Sequence, residues 1–282
     1  MFAREPSQAN IASQGSYRTL SVSEGRAHVY SESMIVFVTG ATAGFGQAIA
    51  RRFAADGAKI IGTGRRKERL DELANELGEK FFPLGFDVGC RKQVEQAIAS
   101  LPAAFAEVDV LVNNAGGAIG LDPAQNTNLD DWDAMIDSNV KGLVYCTRLL
   151  LTGMVERNRG HIVNMGSTAG EWPYPGGNVY GACKAFVHQF SNNLRADLLG
   201  TAIRVTDIQP GLVGGTEFSE VRFKGDKKKA AAVYEGTQPL MPEDIADAVH
   251  WVATRPAHVN INVIQLMPVC QAYAGLAVKR GS

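Results

Sequence analysis

The stretch Ile35-Val36-Phe37-Val38-Thr39-Gly40-Ala41-Thr42-Ala43-Gly44-Phe45-Gly46 decides how this chain folds. Four consecutive apolar residues, three of them β-branched, read as a strand buried on both faces, because a half-solvated strand would alternate with polar residues. The run leads directly into glycines, and a helical pattern from Phe45 to Ala55 follows. Gly40 suits a tight turn, Gly44 removes a side chain where backbone must approach a ligand, and Gly46 lets a helix pack closely on the strand. Such glycines can also build nothing more than a close strand-to-helix turn; the strand before and the helix after favour a phosphate cradle.

From Met34 onward, strand-like runs alternate with helical patterns. The strands are expected at residues 35–39, 59–63, 80–84, 108–113, 161–165, 203–208 and 262–266. The helices are expected at 45–55, 68–77, 91–99, 133–157, 179–199 and 243–254. Parallel neighbours need crossover connections, so this alternation specifies an α/β fold: a doubly wound parallel sheet of about seven strands, with helices on both faces, in one domain spanning 34–282. Residues 1–33 differ in character. They are rich in Ser, Ala and Gln, hold three Arg against three Glu, and are expected to be a disordered extension.

Composition narrows the chemistry. Of 282 residues, 45% are hydrophobic and 20% charged, as in an ordinary globular enzyme, and the net charge of −1 supplies no field to recruit nucleic acid or an anionic bilayer. Lys227-Lys228-Lys229 reads as a solvated face. The four cysteines, 90, 146, 183 and 270, form no C-x-x-C pair and no spacing that suits zinc, so no metal and no disulfide framework is expected, and a reducing cytoplasmic setting fits.

Ligands of doubly wound sheets bind beyond the carboxyl ends of the strands, and chemistry-bearing residues follow those ends here. Tyr180 and Lys184 are four apart; in a helix that is about 400° of rotation and about 6 Å of rise, so both emerge on one face. A phenol beside an ammonium is a tuned acid. Cys183, adjacent in sequence, points about 100° away and is discounted as a nucleophile. After the second strand, Gly64-Arg65-Arg66 stands where an NAD enzyme places a carboxylate for the ribose hydroxyls. Guanidinium groups match a phosphate with paired donors, so Arg65 and Arg66 point to NADP, the alternative being plain solvated charges at a helix start.

Taken together, Thr39-Gly40-x-x-x-Gly44-x-Gly46, Asn113-Asn114-Ala115-Gly116, Ser167 and Tyr180-x-x-x-Lys184 resemble the short-chain dehydrogenase/reductase family, over residues 34 to about 270. The stretches 166–174 and 210–218 and the tail from Pro256 to Val269 look like those of its bacterial NADP-dependent 3-hydroxy acid dehydrogenases, which also act on serine and allo-threonine. The resemblance implies a Rossmann-type fold and an NADP site made of Gly40, Thr42, Ala43, Gly44, Phe45, Gly46, Arg65, Arg66, Asp87, Val88, Asn114, Ala115, Gly116, Tyr180, Lys184, Pro210, Gly211, Val213 and Thr216. Four residues separate Gly211 from Thr216, more than in many members, which leaves the role of Thr216 open. Asn113 reads equally as a cofactor contact and as a structural amide between strands.

Hydride transfer at a carbinol carbon leaves one proton to exchange at oxygen, so a positioned acid/base is needed. Tyr180 fills that role, with Lys184 expected to favour the phenolate, Ser167 to hold the substrate oxygen, and Asn139 to match the fourth catalytic position. Ser167 can also be read as a turn former and Asn139 as a polar residue at a helix bend. Trp172, Pro173, Tyr174, Phe218, Val221 and Phe223 are expected as pocket walls, and Arg222 as the anchor for a substrate carboxylate, an exposed lid residue being the alternative. The expected substrate is a short 3-hydroxy acid or its oxo acid. An NADPH carbonyl reductase for apolar ketones and a non-catalytic NADP-binding sensor remain as other readings, and the resemblance implies a homotetramer.

Overall fold

A computed structural model describes residues 34–273. The expected extension at 1–33 lies outside the described residues. Seven strands form one parallel sheet in the order β3-β2-β1-β4-β5-β6-β7: β1 (Ile35–Val38), β2 (Lys59–Gly64), β3 (Phe81–Gly85), β4 (Val110–Asn113), β5 (Gly160–Met165), β6 (Ile203–Pro210) and β7 (Val263–Leu266). The apolar run of β1 earns its central place by alternation. Val36 and Val38 enter a core with Ile49 and Phe53 of α1 (Gly44–Ala55), Leu70 and Leu73 of α2 (Lys67–Leu77) and Ile245, Val249 and Val252 of α9 (Pro242–Ala253). Ile35 and Phe37 enter the opposite core with Val94 of α3 (Arg91–Ala99), Leu150 and Met154 of α5 (Gly142–Glu156) and Leu194 of α6 (Asn178–Asp197). Each fully buried Ile, Leu or Phe is worth about 1.5–3 kcal/mol, so the two layers hold the sheet from both sides.

Chain order reverses between β1 and β4, which pair in parallel with Val38 opposite Val112, and a crevice opens beyond their carboxyl ends. Thr39 closes its floor: its Oγ1 accepts from the backbone N–H groups of Asn114 and Ala115, both at 2.9 Å. Asn113 is a structural amide, donating to Thr147 Oγ1 at 2.9 Å and to Asn164 Oδ1 at 2.8 Å. Asn164 in turn donates to Ser191 Oγ at 2.9 Å, so a buried polar chain ties β4 and β5 to α6.

The strand positions agree with expectation to within two residues at each end, β6 running on to Pro210. One helix differs in kind. The pattern at 133–157 predicts a single helix, but the chain forms α4 (Leu129–Ile136), a π-helical turn at Asp137–Lys141, and then α5. Asn139 is the cause: its Nδ2 donates to the carbonyl of Met135 four residues back, competing with the backbone ladder, and the widened turn swings the amide onto the carbonyl of Gly117 at 2.9 Å. Two short helices, α7 (Phe218–Arg222) and α8 (Lys227–Ala232), follow β6 across the open end of the crevice.

Candidate functional site

The glycine turn has the conformation its residues suggested. Gly40 and Gly44 adopt positive φ, at 70° and 53°, and a Cβ on Gly46 would stand 2.2 Å from the carbonyl oxygen of Gly40. Helix α1 begins at Gly44 with an N-cap, Ala43, that has no capping side chain, and with no acidic residue in its first turn. Its first N–H groups and dipole therefore face the crevice uncompensated, as an anion site requires. Thr216 packs against the turn, 3.3 Å from where a Cβ of Gly44 would lie, so the longer loop still delivers it to the cradle.

Arg66 lies beside that cradle. Its Nε and Nη2 donate to Thr42 Oγ1 at 3.3 and 3.0 Å, and its Nη1 pairs with Glu217 Oε2 at 2.7 Å. Glu217 also reaches Arg69 at 3.4 Å. The Arg66 side chain keeps 46% of its surface exposed, so the fork can still receive a phosphate. Arg65 is placed differently: its side chain is 79% exposed and 3.9 Å from Asp87. Asp87 itself accepts from the N–H of Gly89 at 2.9 Å, and Val88 is buried against Gly142.

Beyond the fourth strand, the Asn114 side chain donates to the carbonyls of Thr39 and Gly40, bracing the turn from behind. Gly116, at φ 151°, leaves room for Asn139: a Cβ there would fall 2.4 Å from Asn139 Oδ1. That oxygen is buried and has no hydrogen-bond partner among the described residues. After the sixth strand, the Pro210 carbonyl accepts from Ser167 Oγ and Thr168 Oγ1, each at 3.4 Å. Gly211 sits against Gln271, whose Oε1 takes the Leu212 N–H at 2.7 Å. Val213 bridges Leu240 with its side chain in the core, so only its backbone can line the crevice.

Tyr180 and Lys184 share one face of α6, as the spacing required, and both are buried, 8% and 7% exposed. The ammonium of Lys184 donates to the Met165 carbonyl at 2.8 Å and lies 5.7 Å from the centre of the Tyr180 ring. Burial lowers Lys184 to about 8, against upward pulls from Cys183 and Asp207. Burial also pushes the Tyr180 phenol above its ordinary value; the Ser167 hydroxyl and the Arg222 guanidinium act in the other direction. Lys184, expected to favour the phenolate, shares that place with a second cation, because Arg222 lies at the same 5.7 Å from the ring centre. The Lys184 ammonium is held on a backbone carbonyl, while the Ser167 hydrogen bond and then Arg222 oppose the effect of burial on the phenol. Ser167 is both a turn former, accepting from the Ala169 N–H at 3.1 Å, and a neighbour of Tyr180.

Arg222 reaches the pocket from α7. Its Nη2 donates to the Tyr174 hydroxyl at 2.7 Å, its Nε to the Gly120 carbonyl at 3.3 Å, and it lies 5.7 Å from the Tyr180 ring. Phe218 meets the Tyr180 ring edge-on at 5.8 Å. Trp172 departs from its expected place as a pocket wall. It stacks on Tyr273 at 4.1 Å and stays 43% exposed. Lys224 is drawn away to Asp131 at 2.6 Å, and Val221 is exposed.

Sequence reasoning did not anticipate Glu217, which holds Arg66 and Arg69, nor Thr39, which holds Asn114 and Ala115. Thr39 carried a signal, a hydroxyl at the end of an apolar strand just before a glycine. Glu217 carried none, because its partners lie about 150 residues away.

Known proteins share this arrangement. A family model described as short chain dehydrogenase matches residues 34–227. The NADP-dependent 3-hydroxy acid dehydrogenase of Salmonella typhi is 65% identical over 247 residues, covering 88% of this chain and 100% of the relative. The serine 3-dehydrogenase of Agrobacterium fabrum is 49% identical over 247 residues, 88% of this chain and 98% of that one. The solved closed form of a serine dehydrogenase complexed with NADP+ is 63% identical and superposes with a TM-score of 0.87 over 88% of this chain and 100% of that one. An uncapped helix behind a glycine turn, a buried tyrosine and lysine one turn apart, and relatives matched over almost their whole length agree: the chain belongs to the short-chain dehydrogenase family.

Proposed function

We propose that this protein transfers hydride between NADP(H) and the C3 hydroxyl or oxo group of short 3-hydroxy acids such as serine, allo-threonine and 3-hydroxypropionate. The observation that carries this reading is Arg222 beside Tyr180, a guanidinium 5.7 Å from the ring of the buried phenol. A carboxylate on the substrate is the natural partner for that guanidinium.

The crevice suits the cofactor: α1 offers uncapped N–H groups for the pyrophosphate behind the tight turn of Gly40 and Gly44, and Arg66 with Arg65 and Arg69 takes the ribose phosphate. Thr42, Asn114 and Thr216 shape the same wall. The bound nicotinamide supplies a carbon that accepts or gives a hydride. Tyr180 takes the hydroxyl proton as the C–H electron pair leaves and the carbonyl forms, and returns it in the reverse direction. Ser167 hydrogen-bonds the substrate oxygen, Lys184 acts on Tyr180 from one turn below, and Asn139 holds its part of the helix open through the Gly117 carbonyl.

No helix among the described residues is long and apolar enough to cross a membrane. A cytoplasmic homotetramer is the assembly proposed, with Phe186 and Phe190 of α6, stacked at 5.6 Å and partly open, suited to a subunit contact.

The test follows reduced-nicotinamide absorbance with NADP+ or NAD+ and with serine, allo-threonine, 3-hydroxypropionate and its methyl ester. NADP+-dependent turnover of the acids, at least tenfold better than the ester, is expected. Equal use of acid and ester would instead favour a reductase for apolar ketones, and NADP binding without turnover would favour a sensor.

A further inference from the structure

Asp207 is a carboxylate in the interior of a parallel sheet, 0% exposed, with Asn164 of β5 and Val263 of β7 as its neighbours in register. Its Oδ2 accepts from His188 Nδ1 at 2.9 Å and from Gln209 Nε2 at 2.8 Å. Its Oδ1 has no hydrogen-bond partner among the described residues and lies against Gly166, where a Cβ would stand 2.3 Å away. Gly166 follows Met165, the residue whose carbonyl holds Lys184. His188 is one turn beyond Lys184, so Tyr180, Lys184 and His188 succeed each other at i, i+4 and i+8 along one face of α6.

The neighbours of His188 fix its ring. Arg195 donates to the Asn192 side-chain oxygen, which turns the Asn192 amide nitrogen toward His188 Nε2 at 3.1 Å. Gln209 Nε2 lies 3.0 Å from His188 Nδ1 on the other side, so both ring nitrogens are held in place beside the carboxylate. A buried carboxylate without a compensating cation is costly. The cations that feel it are Lys184 and Arg195, both drawn toward their charged forms by Asp207. Around Lys184 the other titratable groups are Tyr180 and Cys183 on α6; Tyr174 and Arg222 bear on Tyr180 from the far side.

We propose that Asp207 is a positioning residue of the reaction, the buried counter-charge that holds the Lys184 ammonium beneath Tyr180, with His188 fixing the carboxylate in place. The proposal rests on the reading of Lys184 as part of the catalytic machinery. Burial already lowers Lys184 to about 8, so losing the carboxylate behind it carries the ammonium through its titration near neutral pH.

The test is the pH profile of kcat/KM for Asp207→Asn, which keeps size and hydrogen bonds and removes the charge. The alkaline limb should move to lower pH by roughly one pH unit, with the KM for NADP+ changed less than twofold, and Asp207→Glu should restore it. A folded Asp207→Asn protein with its alkaline limb unmoved would overturn the proposal. Should that variant not fold, Lys184→Met reads the same pairing without turnover. Its stranded carboxylate takes up a proton on folding, so its Tm should improve relative to the unsubstituted protein as pH falls from 7.5 to 5.5. A difference in Tm that does not vary with pH would overturn the proposal too. Because this measurement needs no activity, it stands apart from any failure of the proposed reaction.

Discussion

The Lys184 ammonium donates to the Met165 carbonyl at 2.8 Å, so the last residue of β5 fixes where the charge beneath Tyr180 stands. At 5.7 Å from the ring, and with an effective dielectric of about 20, that charge favours the phenolate by about 3 kcal/mol. Lys184→Met should therefore raise the pKa of the limb assigned to Tyr180 by one to two pH units, roughly, and cut kcat/KM about 10²-fold or more. A pH–rate profile of the variant checks this; an unmoved limb with lowered kcat would assign Lys184 a purely steric part.

Arg222 offers its guanidinium to the pocket while tied to Tyr174 and Gly120. A charge-assisted hydrogen bond is worth about 1.5–3 kcal/mol, so Arg222→Ala should raise KM for a 3-hydroxy acid by about 10- to 100-fold and leave KM for the methyl ester nearly unaffected, any change in Tyr180 entering kcat for both alike. Steady-state kinetics on the acid and ester pair make the comparison. An equal loss on both would remove Arg222 from carboxylate recognition.

Arg66 stands at the mouth of the cradle with Thr42 and Glu217. Arg66→Ala should weaken NADP+ by roughly 10- to 100-fold while NAD+ changes little, because the ribose phosphate loses its forked partner. Calorimetric titration with both nucleotides gives the ratio directly. A parallel loss for NAD+ would instead make Arg66 a structural brace of the turn.

His161 predicts an acid limit to stability. It is buried in β5, its Nε2 meets Thr206 Oγ1 at 2.8 Å, and burial holds its pKa well below the usual imidazole range. The unfolded chain binds a proton below about pH 6.5 and the folded chain does not, so stability is fully present above that pH and falls by about 1.4 kcal/mol for each pH unit below it. His161→Gln should flatten the fall in urea midpoint between pH 6.5 and 5.

The fold was legible because parallel sheets write themselves in uninterrupted apolar runs. Val36 and Val38 face one layer, Ile35 and Phe37 the other, so no polar residue could intervene. Tyr180, Lys184 and Ser167 were legible because each follows a strand or shares a helix face, and short-range spacing carries that information. The break at Asn139 was not, because a π-helical turn costs only one residue of register and its cause, an amide reaching the Gly117 carbonyl, is a tertiary contact. Trp172 was misplaced for a related reason: it follows the right strand, but its ring is claimed by Tyr273, a residue about a hundred positions on. Asp207 stood in plain view as a charge inside a strand that also holds Arg204, Thr206 and Gln209, and only the neighbouring His188 and Gly166 make that charge informative.

The ten residues from Thr216 to Gly225 bear on both ends of the crevice. Glu217 grips Arg66 and Arg69 at the adenosine end, and five residues later Arg222 lies over Tyr180. An engineer who rewrites Arg66 to accept a cheaper coenzyme therefore also unties the stretch that presents Arg222. If Arg66 and Arg222 serve coenzyme and substrate as proposed, the two preferences are expected to drift together, with compensating changes at Glu217.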